Sequence, residues 1–388
     1  MDNHHSIYCI LPPHILKNIS ENGSATQQEK ARQTIVMTEQ LRGKRRAMES
    51  MAALSRLSFG TANKQRTIYD AQTGSTLPGT AVRREGELAV ADMAVNEAYD
   101  GSGVTYDLYS DIFGRNSIDG RGMKLDSTVH YQKSFDNAFW DGQQMVYGDG
   151  DEDLPEAQRL FNRFTIAIDV IGHELTHGVT QNEANLAYWD QSGALNESFS
   201  DVFGSLVKQY QLKQSADDAD WLIGQGLLSP NVKGVALRSM KAPGTAYDDP
   251  VLGKDPQPGH MKDYINTTQD NGDVHLNSGI PNHAFYVIAI DIGGFAWNKA
   301  GMIWYKTLTD KLTERATFQK TANSTYQTAG ELFGFGSLEQ IAVKNGWAEV
   351  GLTVSDGAPV PPPPTPTPTP TPGDGCLPQI MRSLGLMK

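Results

Sequence analysis

The chain of 388 residues predicts an α+β fold, a β-rich N-terminal part followed by a mainly α-helical part. Three textures predict it. From about residue 66 to 150, short apolar runs alternate with Gly, Asp and Asn, as in YDLYSDIFGRNSIDGRG, the pattern of strands joined by turns. After about Thr165 the period changes: Leu195, Phe199, Val202, Phe203, Leu206, Val207 and Tyr210 recur at three and four, the stripe of a helix laid on a core. Beyond Leu352 the run SDGAPVPPPPTPTPTPTPGDG fixes φ and removes N–H donors, which disfavours helix and sheet and leaves an extended linker.

The remaining elements follow in order. Residues 25–48 are polar and helix-prone and end in the basic cluster Arg42, Lys44, Arg45 and Arg46. That cluster reads as a solvated helix end, with a processing or docking segment as the alternative. Ser192 is the expected N-cap of the striped helix. GIPNHAFYVIAIDIGG and the stretch ELFGFGSLEQIAVKNGW continue the helical half. The length exceeds one hydrophobic core, so at least two packed domains are expected, and residues 376–388 are too few to fold alone.

Composition excludes several classes. A net charge of -12 argues against nucleic acid or an anionic membrane as partner, because both need basic surface. The two cysteines, Cys9 and Cys376, cannot make a disulfide framework. MDNHHSIYCILPPHIL lacks a basic segment followed by an apolar one, and no stretch is long and apolar enough to span a bilayer, so a cytoplasmic precursor is expected.

The chemistry sits in HELTH. On a helix His173 and His177 project from one face, close enough for both imidazoles to reach one ion, with Glu174 beside them to hold a water. Alone, the pattern also fits a surface helix with two unrelated histidines, a chance match of about one in a hundred. A catalytic zinc needs a third ligand and an open position. Glu197 follows His177 with 19 residues between them, enough for a helix to end, the chain to turn and a second helix to present it. Asp201 lies one turn further on the same face, where it can hold the second N–H of a ligand histidine.

HELTH followed by GALNESFSD resembles the signature of the thermolysin-like zinc endopeptidases. DNAFWDGQQMVYGDG at 136–150, LRSM at 237–240, DNGDVHLNSGIPNHAFY at 270–286 and AVKNGWAEVGL at 342–352 match the same family in the same order. The resemblance covers about residues 66–352 and implies a zinc cleft between the two parts. It implies one Zn2+ held by His173, His177 and Glu197, with Glu174 as general base on the bound water. Tyr188 and His275 match donors to the tetrahedral oxyanion, and Asp270 matches the carboxylate that orients the histidine. Asn137, the backbone of Ala138, and Arg238 match groups that hold the substrate main chain. Asn196 and Asp201 match supports of the ligand histidines. Val170, Ile223 and Leu237 match the pocket beyond the scissile bond, which implies cleavage before bulky hydrophobic residues. Peptides or proteins are the implied substrates of a monomer.

Two departures qualify the resemblance. Calcium-rich relatives hold a pair of ions where this chain has Asp169, Lys208, Asp220, Leu222 and Gln225. A lysine there repels calcium, so the double site is expected to be lost, with the Lys208 ammonium pairing Asp169 and Asp220. The leader, with CILPPHILKNI, resembles that of the protealysin-like subgroup and implies a short propeptide acting as intramolecular inhibitor, removed between about Arg46 and Ser58. The expected organisation is propeptide 1–52, β-rich part 53–165, helical part 166–352, linker 353–375 and tail 376–388. Cys9 reads as a small buried apolar residue in preference to a thiolate aimed at the metal. A catalytically silent zinc-stabilised binding protein and a metallo-aminopeptidase are the competing classes; the intact catalytic set weighs against the first and the ligand interval against the second.

Overall fold

A computed structural model describes residues 8–52 and 63–355, with side chains described for 9–38 and 63–355. The side chains of the basic cluster, residues 53–62 of the expected processing region, and the linker and tail from residue 356 lie outside this set. Strands β1 (Tyr8–Cys9), β2 (Arg66–Asp70), β3 (Thr80–Arg84), β4 (Leu125–Val129), β5 (Ala138–Trp140) and β6 (Met145–Tyr147) form one mixed sheet in the order β1-β5-β6-β4-β2-β3. β1 pairs antiparallel with β5, Tyr8 opposite Trp140 and Cys9 opposite Phe139. The leader thereby covers the backbone edge of β5 that would otherwise stand open. Helices α1 (Pro13–Asn22) and α2 (Ala25–Ala52) follow, α1 burying Ile15, Leu16 and Ile19.

The turn-rich region also contains a helix that its texture concealed, α3 (Met93–Asp107), continuing as a π-turn over Leu108–Ile112. Asp92 caps it, accepting from the amides of Ala94 and Val95. Nine of its residues are buried, and Gly101, Ser102, Gly103 and Thr105 among them are small or polar, so the buried face carries too few apolar side chains to read as a 3.6-residue stripe. Its glycines, which read as turn signals, serve packing: a Cβ on Gly101 would meet Ile171 Cδ1 at 2.4 Å.

The helical half comprises α4 (Ile168–Asn182), α5 (Asp190–Leu212), α6 (Asp270–Asn277), α7 (Gly279–Ile292), α8 (Ala300–Asp310), α9 (Phe318–Phe333) and α10 (Leu338–Glu349). α5 starts before Ser192, whose hydroxyl donates to the carbonyls of Ala187 and Trp189 rather than capping the helix, which corrects the expected start. Two glycines set the distance between α4 and α5. A Cβ on Gly204 would lie 2.4 Å from the carbonyl oxygen of Asp169, and one on Gly172 would lie 3.1 Å from the Cα of Gly204. Only bare backbone permits that crossing, which brings α5 within carboxylate reach of α4.

Candidate active site

His173 and His177 lie one turn apart on α4, fully buried. The Nδ1 atom of His173 is 2.8 Å from Asp201 Oδ1, and that of His177 is 2.8 Å from Asn196 Oδ1. Asn196 donates its Nδ2 to the carbonyl of Leu186, so its oxygen is the atom facing His177. Both rings therefore carry hydrogen on Nδ1, which leaves Nε2 as the atom that can ligate. Those two Nε2 atoms face each other at 3.0 Å. Two lone pairs at that distance repel unless a proton or a metal ion lies between them, and Asp201 and Glu197, which raise the His173 pKa to about 9 against burial, favour a positive charge there. Glu197 supplies the counter-charge, Oε2 3.5 Å from His173 Nε2 and Oε1 3.5 Å from His177 Nε2, and Oε2 has no hydrogen-bond partner although buried. The three ligand atoms lie within 4.8 Å of one another. Two imidazole nitrogens and one carboxylate are the protein donors of a catalytic zinc, so the residues present fit that ion.

Asp201 makes four hydrogen bonds with three residues. Arg238 grips it with Nε and Nη2, each at 2.8 Å, while Asn282 donates to Oδ2 at 2.8 Å and His173 occupies Oδ1. Burial alone would raise its pKa, and Arg238 and His173 together outweigh that and hold it at about 2. A permanently ionised acceptor fixes the His173 tautomer.

Glu174 points into the same space from α4. Its Oε2 accepts the amide of Trp140 at 3.0 Å, and its Oε1 is buried without a partner. Burial pushes its carboxyl up to about 8, partly offset by His173. Across the cleft His275 Nδ1 donates to Asp270 Oδ2 at 2.6 Å, and its Nε2 is 3.2 Å from the Tyr188 hydroxyl. Burial would lower the His275 pKa, and Asp270 and Glu197 together overcome it and raise the value. Asp270, Asn271 and Asp273 hold positive φ angles of 42, 55 and 52°, a strained turn that folds the Asp270 carboxylate back onto its histidine. The Tyr188 hydroxyl donates to Glu197.

The leader runs through this cleft. The amide of Ile10 donates to the Ala138 carbonyl at 3.2 Å, and that of Leu11 to Asn137 Oδ1 at 3.1 Å. Arg238 Nη1 donates to the Ile10 carbonyl at 3.1 Å, and His275 Nε2 lies 3.1 Å from the Cys9 carbonyl. Val170, Ile223 and Leu237 are buried in the same continuous apolar cluster as Ile10 and Leu11. The Cys9 side chain packs with Tyr131, Phe135, Phe139 and Val146, as a small buried apolar residue does. Lys208 lies where the charge argument put it, Nζ 3.2 Å from Asp169 Oδ2 and 2.7 Å from Asp220 Oδ2.

Family models agree with this geometry over most of the chain. The thermolysin metallopeptidase catalytic domain matches residues 24–181, and the thermolysin metallopeptidase alpha-helical domain matches 184–352. The chain belongs to the thermolysin family of metallopeptidases. An extracellular metalloprotease of Pectobacterium carotovorum subsp. carotovorum is 51% identical over 349 residues, covering 90% of this chain and 97% of that protein. Protease PrtS of a Photorhabdus species is 48% identical, covering 89% and 92%. The solved precursor of protealysin, a metalloproteinase from Serratia proteamaculans, superposes with a TM-score of 0.80 at 52% identity, over 89% of this chain and all of that one. The chain is accordingly a protealysin-like member of the family and a thermolysin-like metalloendopeptidase.

Within this peptidase the contacts above join His173, His177, Glu197, Asn196, Asp201, Arg238, Tyr188, His275 and Asp270 in one network, and other residues support it. Asn282 steadies Asp201, and the Trp140 amide holds Glu174. Gln257 Nε2 donates to the His275 carbonyl at 2.7 Å. Asn282 lay inside the recognised stretch 270–286 and was legible there; Gln257 carries no local signal.

Proposed function

We propose that this metalloendopeptidase cleaves peptide bonds on the N-terminal side of bulky hydrophobic residues, and that it is made as a precursor whose leader fills the cleft in the manner of substrate. The observation that carries this is the hydrogen bonding of Cys9–Leu11. The four groups expected to receive substrate main chain or its carbonyl, Asn137, Ala138, Arg238 and His275, are those that bond this segment. Ile10 then sits as the residue after the scissile bond, and Val170, Ile223 and Leu237 form its apolar pocket.

Zinc, when bound by His173, His177 and Glu197, acidifies a water and polarises the scissile carbonyl. Glu174 offers its free Oε1 to take the proton of the attacking water and return it to the leaving amine. Its raised pKa suits a group that must both accept and release a proton near neutrality, and a nearby dication draws the carboxyl back toward the ionised form. His275, protonated through Asp270, and Tyr188 donate to the oxygen on which charge develops. Arg238 and Asn137 hold the chain on either side so the carbonyl meets these groups in register. Action outside the cell is supported by the name of the Pectobacterium relative.

Glu174→Gln tests the chemistry: cleavage of an N-terminally blocked hydrophobic peptide should fall by about 10³-fold or more with zinc retained by elemental analysis. N-terminal sequencing tests the precursor, since an active form that still began at Met1 would remove the propeptide reading. Peptides varied after the scissile bond should rank Leu, Phe and Ile far above Asp or Gly.

A further inference from the structure

A second charged site joins the leader to the body away from the zinc cleft. Lys30, on α2, drives its ammonium into a pocket of oxygens, with only 6% of its side chain exposed. Nζ lies 2.7 Å from Asp151 Oδ1, 3.0 Å from Asp153 Oδ1, 3.8 Å from Asp136 Oδ1 and 3.2 Å from the Gly150 carbonyl. Asp151 is fixed from behind, its Oδ2 accepting the amides of Leu160 and Phe161, so Oδ1 is committed to the pocket. Asp136 is 4% exposed, and its Oδ1 faces the ammonium too far away to bond and has no hydrogen-bond partner. One positive charge thus serves three carboxylates, and one buried oxygen is left waiting for a closer cation.

We propose that Asp136, Asp151 and Asp153, with the Gly150 carbonyl, form a binding site for a hard divalent cation of the calcium type, occupied by the Lys30 ammonium until the leader departs. This rests on the reading that the leader is removed. Departure strips the pocket of its positive charge and leaves three carboxylates aimed at one point, a repulsive arrangement at neutral pH. The donors are all oxygen, which selects against zinc and copper and for calcium. Calcium takes six to eight oxygens at about 2.3–2.6 Å in flexible geometry. The three aspartates and the carbonyl supply the protein share, and water fills the space vacated by the lysine methylenes. Magnesium, which demands a tight octahedron, suits a loop-built pocket less well.

The position matters because Asp136 immediately precedes Asn137 and β5, the wall that meets substrate, while Asp151 pins the chain at Leu160 and Phe161. Activation would exchange a covalently delivered ammonium for a diffusible dication, so the cleft wall stays braced once the leader has gone.

The experiment titrates Ca2+ calorimetrically into the zinc-loaded, processed enzyme in calcium-stripped buffer and follows its Tm. One equivalent should bind with a rise in Tm. Asp136→Asn and Asp153→Asn should each weaken it at least about tenfold while circular dichroism stays unchanged. The intact precursor should take up no equivalent at this pocket, and full-length Lys30→Ala should gain one. Absence of binding by the processed enzyme at millimolar Ca2+, or equal binding by Asp136→Asn, overturns the proposal. If sequencing finds the leader retained, the precursor reading fails separately, and the Lys30→Ala chain still tests the pocket.

Discussion

Lys208 and Lys30 each place one ammonium among buried carboxylates, and they differ in where the lysine comes from. Lys208 belongs to α5 and answers Asp169 on α4 and Asp220 on the following loop, all within the peptidase body. Lys30 belongs to the leader and answers Asp136, Asp151 and Asp153 more than a hundred residues away. Burial would lower both lysine pKa values, and the facing aspartates reverse that and raise them. The local physics is therefore the same, but at Lys208 the balance is permanent and at Lys30 it lasts as long as the leader stays. A lysine of the peptidase body balances the first site from within; under the proposed removal of the leader the second loses its cation.

The largest expected effect breaks the permanent pair. Lys208→Met leaves Asp169, 1% exposed, without its cation, and removing one partner of such a pair costs about 3–5 kcal/mol. The loss should appear equally in precursor and processed enzyme as a lower Tm. The double change Asp169→Asn with Lys208→Met should recover most of it, since no buried charge then remains. A single variant as stable as the parent would end the claim that Lys208 balances this site.

A smaller effect is expected at Lys30, because burial and Asp151 already raise the Asp136 pKa and a proton can partly replace the ammonium. Lys30→Met should destabilise the precursor by about 2–3 kcal/mol. It should speed release of the leader, read as earlier onset of peptide cleavage. After processing, the variant and the parent are the same molecule and must unfold together. Equal unfolding of the two precursors would place Lys30 among contacts of no consequence and remove the contrast with Lys208.

How much of this was legible follows from distance along the chain. HELTH, Glu197 and Asp201 lie within thirty residues, so spacing allowed them to meet, and the match to the family's ordered motifs assigned them to one site. Lys208 with Asp169 and Asp220 was legible because the charge pattern there departs from that of calcium-binding relatives. The helix α3 was not, because Gly101 and Gly103 look like turns until Ile171 and Arg66 are seen packed against them. Ser192 misled because a serine near a helix start caps only if its backbone is extended, and here it is already helical. The strand of Cys9–Leu11 on β5 and the Lys30 pocket join segments more than a hundred residues apart, and no local periodicity encodes such pairings.

The smallest effect concerns a third cation held between carboxylates, one that pH can remove. His130 follows β4 with a φ of 54°, its Nδ1 2.8 Å from Asp149 Oδ1 and its Nε2 2.8 Å from Asp92 Oδ2. The hydrogen bond to Asp149 is the main cause that lifts its pKa from 6.5 to about 9, against burial and with help from Asp92. Because the folded value lies above the unfolded one, the stabilisation is complete below about pH 6.5, declines as pH rises, and is gone above about pH 9. Asp92 also caps α3, so loss of the proton loosens the N-terminus of that helix as well. The Tm of the parent should therefore fall between those limits more steeply than that of His130→Asn, which has no proton to lose. The site is partly exposed, so the difference is expected to be modest and to shrink in high salt. Parallel Tm curves for the two proteins across this range would show that the His130 charge contributes nothing, and would confine the comparison to Lys208 and Lys30.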